Sequence, residues 1–338
     1  MHLLTLGSTL APLLSHFDLT LAVPFATLAK RTSRTSSPSG CLVVRGSGTG
    51  LSEYSTLQAA VTALGSTTTS KCIFVYSGTY NEQVRIGYGG PLTLYGYTTD
   101  ASSYKGNTVN IVSAQSSSEA GLLDTSSAVN VVSANFKVYN INFKNSYGIG
   151  AQAVAFTGNG DKQGYYGCGF YSYQDTLYAK AGKQYYSNCY IEGAIDFIFG
   201  DAIAWFGECT IAAGVSNRAG TITANSREES SDTAWYVIDS STVNHGCVWR
   251  KRDREDLPRP SMACAGPSHY QNSVLTDVVS AAGWTTLAAN ATPIFEEWDN
   301  SGAGSDTSAR EYETKASGAV SKTTLWGSDW GSWIDESY

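Results

Sequence analysis

Two aspartates occupy matching places in a short repeat. Asp175 follows Cys168 by seven residues and Asp196 follows Cys189 by seven, so the two aspartates are 21 residues apart. If 21 residues make one turn of a stacked β-structure, the carboxylates lie one above the other at about 5 Å. Like charges at that distance do not both ionise easily, so one pKa rises while the other group stays anionic. Two identical side chains then supply a proton donor and a carboxylate nucleophile or base. Gln174 precedes the first aspartate, and Gln152, in Gln152-Ala153-Val154-Ala155-Phe156, sits one turn earlier. Their amide N–H groups are candidates to stabilise an oxyanion. Taken alone, a stacked aspartate pair also suits Ca²⁺ binding or the capping of turns.

These residues need a scaffold that stacks equal lengths of chain. From Val109 onward, short β-rich runs recur between Gly, Asn and Ser. Four stand out: Tyr139-Asn140-Ile141-Asn142-Phe143, Tyr166-Gly167-Cys168-Gly169-Phe170, Ser187-Asn188-Cys189-Tyr190-Ile191 and Gly207-Glu208-Cys209-Thr210-Ile211. Aligning Ile141, Cys168, Cys189 and Cys209 gives intervals of 27, 21 and 20. A repeat of that length built from strands signals a solenoid, and helical periodicity is missing. The fold read from this pattern is all-β, a right-handed parallel β-helix solenoid with the three cysteines stacked inside. A β-sandwich with accidental spacing is the alternative. Upstream, a short N-terminal capping helix is predicted. Ser55 and Gln58 make a capping box, Leu57, Ala60, Val61 and Leu64 share a face, and Gly65 stops it. Cys72 to Tyr76 then reads as a buried strand ended by Ser77-Gly78.

Composition narrows the function. Of 338 residues only 15% are charged, against about 25% in soluble domains generally. A net charge of −7 excludes a nucleic-acid binder, which needs a basic footprint, and excludes charge steering toward a polyanion. Residues 1–29 read as a signal peptide, with Lys30-Arg31 a candidate processing site and a buried N-terminal helix the alternative, and 30–40 as a flexible lead-in. No later run suits a membrane span. Residues 41–338 read as one domain of a secreted, extracellular protein, and Asn290-Ala291-Thr292 is a glycosylation acceptor. The seven cysteines are odd in number for a secreted chain, and without CxxC or CxxH a structural zinc site is not expected.

The motifs are also specific as a set. Gln174-Asp175-Thr176-Leu177-Tyr178 and Ile191-Glu192-Gly193-Ala194-Ile195-Asp196-Phe197-Ile198-Phe199-Gly200 resemble the two signature motifs of pectin methylesterases. Gln152-Ala153-Val154-Ala155 and Gly78-Thr79-Tyr80-Asn81-Glu82 resemble two more, in the family's order, and the similarity to the fungal secreted branch spans about residues 40–335. The resemblance implies that Asp196 attacks the methyl-ester carbonyl of a galacturonate unit. Asp175 would protonate departing methanol and then activate water, while Gln174 and Gln152 hold the oxyanion. It offers Tyr178 and Phe199 as sugar contacts, which ordinary coil packing would also explain. It implies no metal and no organic cofactor, a methyl-esterified pectin substrate, and a monomer without nucleic-acid or membrane partners. The competing readings are another β-helix pectin enzyme (polygalacturonase or pectate lyase) and an inactive pectin-binding relative.

One family motif, Leu-Gly-Arg-Pro-Trp, is missing between Asp239 and Tyr270. In its place are seven consecutive charged residues, Arg250 to Asp256, followed by Leu257-Pro258-Arg259-Pro260-Ser261-Met262-Ala263-Cys264. Met has one codon, ATG, and every Ala codon begins with G, so Met262-Ala263 read one base later must give tryptophan. The same shift permits leucine, glycine, arginine and proline at 258–261. A compensated frameshift over 245–269 accounts for the break. As written, Arg259 is the nearest substitute for the motif's arginine. The charge run and prolines predict an irregular loop here.

Overall fold

The computed structural model describes residues 33–214, 220–225, 232–246, 262, 268–286 and 294–338. The chain divides between Lys30 and Arg31 into two units, and every described residue belongs to the second. The signal peptide, the Lys30-Arg31 pair and Asn290 lie outside the described residues.

Among the described residues, three sheets run along the solenoid. The first has ten strands, from Leu42–Val44 to Phe295–Trp298. The second has eight, from Gly78–Asn81 to Val274–Leu275, and the third has six, from Val84–Ile86 to Thr223–Asn225. Each strand pairs in parallel with its counterpart one coil away, as Gln163–Tyr166 does with Lys183–Ser187 and Gly169–Tyr171 with Tyr190–Gly193. This is the right-handed parallel β-helix expected from the repeat. It begins well before Val109, because Leu42–Val44 already pairs with Lys71–Val75 and that strand with Leu92–Gly96. Those early coils lack the Asn/Cys signature and so do not show in the repeat.

The four sequence runs are corners, not strands. Tyr139 ends one strand and Asn142 begins the next. The residue between them that turns the chain has a left-handed backbone: Asn140 at φ 55, Gly167 at 56, Asn188 at 53 and Glu208 at 55, continued by Ser240, Asn272 and Asp299 at 50, 52 and 50. From Asn140 to Asn272, each donates its N–H to the coil above, for example Asn188 to Gly207 O at 3.0 Å. One residue at positive φ is the shortest way to bend two β-strands apart, and Asn, Asp and Gly tolerate it best.

Inside the corner, the thiols of Cys168, Cys189 and Cys209 are buried and unbridged. They stack as expected, each reaching a carbonyl of the preceding coil, Val138, Tyr165 and Tyr186 respectively. Ser241, Ser273 and Asn300 continue the ladder. Beside it, the rings of Tyr165, Tyr186 and Phe206 stack with centroids 4.5 and 4.6 Å apart. Cys41 and Cys72 form a disulfide across the first two strands of the first sheet. Cys247 and Cys264 lie outside the described residues.

The capping helix is α1, Leu57–Ala63, and its N-cap is Thr56 rather than Ser55. Thr56 has the extended backbone a cap needs, and its hydroxyl accepts from Ala59 N–H. Gln58 does not close a capping box. Its side chain accepts from Arg85 N–H, while the Glu82 carboxylate takes the free N–H groups of Leu57 and Gln58. Gly65, at φ 68, follows the helix end as expected. At the other end of the chain, Leu325, Trp326, Trp333 and Ile334 pack over Tyr139, Tyr166, Tyr185, Trp205 and Val237 on the outer face of the first sheet.

The charge run Arg250–Asp256 and Arg259 lie outside the described residues. The described ends of 245–269 keep the solenoid register. His245 closes a strand opposite Ala213, Ser268 and His269 pair with Tyr236 and Val237, and Met262 is buried in the core.

Candidate active site

Two neighbouring strands of the third sheet, Leu177–Ala181 and Ile198–Gly200, pair Leu177 with Ile198 and Tyr178 with Phe199. The pairing continues backward through a bridge between Gln174 and Ile195 and a bond from Asp175 N–H to Ile195 O at 3.1 Å. The 21-residue register therefore holds through the corner. It puts Asp175 and Asp196 at the same rung of adjacent coils, one strand spacing of about 4.8 Å apart along the solenoid. Both have left-handed backbones, φ 62 and 48, which turn the chain out of the second sheet at the aspartates themselves. Such conformations carry a modest strain and concentrate at functional sites. Gly193 makes the corner possible, since a Cβ there would collide with Phe197 and the Thr176 hydroxyl.

Burial and charge set the two carboxyls apart. Asp175 is 5% exposed. Burial, reinforced by the neighbouring Asp196 and only partly offset by a hydrogen bond from Gln174, pushes its carboxyl up to about 8. Asp196 is more open, and burial raises its pKa as well. Thr221, on the next coil, holds Asp196 at two points. Its hydroxyl oxygen accepts from Asp196 N–H at 3.1 Å and donates to Oδ1. Among the described residues no cation forms an ion pair with either carboxylate, and no cluster of three or more His, Cys, Asp and Glu could hold a metal.

Gln174 and Gln152 come to the same corner. Gln174 is next to Asp175, and its carbonyl accepts from Ala153 N–H at 3.2 Å, so Gln152 lies one coil down. Gln152 is exposed, and Ser117 donates to its Oε1 at 3.1 Å. Beyond the aspartates, the rings of Tyr178 and Phe199 stack at 4.3 Å with 14° between planes. With Val154, Ala224 and Leu123 they form a small apolar cluster separate from the core. Lys180 is the extra residue of a bulge, since Gly158 pairs with Ala179 and Asn159 with Ala181. Bulges beside active sites re-aim side chains. Here Nζ lies 2.5 Å from Asp124 and 5.4 Å from the Tyr178 ring centre.

All six residues singled out from the sequence thus lie on adjoining coils around one corner. Ser117, Thr221 and the Lys180–Asp124 pair were not anticipated. Ser116-x-x-Glu119 is a legible capping box and could have drawn attention to Ser117. Thr221 is 25 residues from Asp196 and breaks the 21-residue count. A mostly protonated carboxyl, a second carboxylate one strand away and two carboxamides suit acyl transfer by covalent and acid–base catalysis.

Comparison with known proteins is consistent with that chemistry. The pectinesterase family model matches residues 42–323. Probable pectinesterase A of Aspergillus niger is 58% identical over 318 residues, covering 94% of this chain and 95% of that protein. Pectinesterase A of Emericella nidulans is 56% identical over 309 residues, covering 91% and 93%. Among solved structures, the deglycosylated pectin methylesterase of Aspergillus niger superposes with a TM-score of 0.83 at 55% identity, over 90% of this chain and all of that one (100%). The pectin methylesterase from carrot superposes with a TM-score of 0.75 at 25% identity, over 89% and 97%.

Proposed function

Because the chain belongs to the pectinesterase family, we propose that it hydrolyses the methyl esters of galacturonate in pectin at the Asp175–Asp196 corner. The observation that carries this is the in-register pairing of two aspartates, one of them held protonated by burial and its neighbour. Asp196 attacks the ester carbonyl carbon, and the oxyanion that forms is met by N–H groups of Gln152 and Gln174. Collapse breaks the bond to methoxy, whose oxygen takes the proton of Asp175 and leaves as methanol. Asp175, now anionic, takes a proton from water, and the resulting hydroxide splits the acyl-enzyme. That step frees Asp196 and the galacturonate as its carboxylic acid, which then gives its proton to solvent, and it leaves Asp175 in its acid form. Tyr178 and Phe199 offer a flat apolar floor to sugar rings beside the reacting ester. The reaction needs neither a metal nor an organic cofactor.

The chain as written lacks Leu-Gly-Arg-Pro-Trp. We read 245–269 as a compensated frameshift, which coding DNA across 240–275 would reveal. We further read 1–29 as a signal peptide, 30–40 as a lead-in and 41–338 as one secreted, monomeric catalytic domain. The function is tested by product analysis on esterified pectin, using both the written chain and one carrying the recovered motif. Methanol without new reducing ends or unsaturated products is the expected outcome for the recovered chain. Reducing ends would indicate a hydrolase of the backbone, and binding without product an inactive relative.

A further inference from the structure

We propose that Ser117 is a positioning residue that orients the Gln152 carboxamide, an inference that rests on reading Gln152 as an oxyanion donor. Gln152 is exposed, and a free carboxamide at the surface can turn either its oxygen or its nitrogen toward a substrate. Only the nitrogen stabilises an oxyanion, because a carbonyl oxygen in its place would repel the charge. Ser117 grips Gln152 twice. Its N–H donates to the Gln152 carbonyl at 2.8 Å, and its hydroxyl donates to Oε1 at 3.1 Å. With Oε1 engaged, the amide N–H groups are left free to donate elsewhere.

The grip is itself held in place. Ser117 is the first residue of a one-turn helix, Ser117–Ala120, where a backbone N–H has no partner within the helix. Gln152 supplies that partner. A full capping box fixes the turn, with Ser116 and Glu119 each bonding the other's N–H. Asn145, buried, donates to the carbonyls of Gln115, Ser126 and Val154, joining both ends of this loop to the segment just after Gln152. Lys180 pairs with Asp124 from the catalytic coil, and Gln83 donates to Thr125 and Ser127 from the other side. Ser117 therefore sits on a braced loop, with its hydroxyl turned to Gln152.

The test compares Ser117→Ala, Ser117→Thr, Gln152→Ala and the double variant Ser117→Ala/Gln152→Ala in the full-length chain carrying the recovered motif, by methanol release and by crystal structures. Ser117→Ala is expected to lower kcat about tenfold with KM unchanged, a fraction of the roughly hundredfold loss expected for deleting an oxyanion donor. Ser117→Thr should restore the rate, and adding Ser117→Ala to Gln152→Ala should cost nothing more. In a neutron crystal structure of Ser117→Ala, which tells amide nitrogen from oxygen, the Gln152 carboxamide should take both orientations, against one in the parent. That readout needs no turnover. An unchanged kcat, full additivity with Gln152→Ala, or a single unaltered Gln152 orientation in Ser117→Ala would each overturn the proposal. Full activity in Gln152→Ala would instead remove the oxyanion reading on which it stands.

Discussion

Asp175 carries the pH behaviour of the site. Its carboxyl is raised by burial and by Asp196 to about 8, so it is an acid at neutral pH. The methanol-releasing step should therefore slow as pH rises through about 8, and also as pH falls far enough to protonate Asp196. The same shift acts on stability. A group whose pKa is higher folded than unfolded binds its proton more tightly in the native state. Its stabilising effect is full below the unfolded pKa, about 3.8, and is lost as pH rises through about 8. Asp175→Asn should remove that slope and stabilise the fold above pH 8 by on the order of a few kcal/mol, measurable by urea unfolding at pH 5 and pH 9. Equal effects at both pH values would contradict the assignment. The aspartates were legible because one coil is 21 residues long where they occur. Thr221 and Ser117 were not, because the chain between them and the residues they hold has lengths set by loops rather than by the coil.

At the scale of elements, the solenoid is bent by single residues. Asn188 turns the chain at φ 53, and its side chain donates to Ser187 and Glu208. Asn188→Val should cost about 1–2 kcal/mol or more, since a β-branched side chain is forced into the left-handed region. Asn188→Gly should cost clearly less, losing only the side-chain bonds. Urea midpoints of the two variants decide this, and equal losses would show that backbone conformation is not what the corner demands. The corner sequences stood out in the repeat but read as strands. A run such as Ser187-Asn188-Cys189-Tyr190-Ile191 alternates like a strand, and only the positive φ at its second residue, which composition does not display, splits it in two. The helix cap slipped by one residue for a related reason. Gln58 was drawn away by Arg85, and Glu82, distant in sequence, took over its capping work.

At the largest scale, the described residues of the second unit stack as coils, with the C-terminal segment packed along the first sheet. Trp333 is 5% exposed and packs with Trp326, whose indole N–H donates to Ile203 O at 2.9 Å. Trp333→Ala should destabilise by roughly 3–5 kcal/mol, seen as a lower Tm, while kcat at a permissive temperature stays unchanged because this face lies on the first sheet and the aspartates at the edge of the third. A large loss of kcat without loss of Tm would contradict that separation. The central claim, that Asp196 is the nucleophile of an ester hydrolase, is tested most directly by methanol release from esterified pectin by Asp196→Asn in the chain carrying the recovered motif. Asparagine accepts the φ of 48 at this position, so the fold should be kept while turnover disappears, a loss of about 10⁴-fold or more. Methanol release at the parent rate by a folded Asp196→Asn would contradict the account.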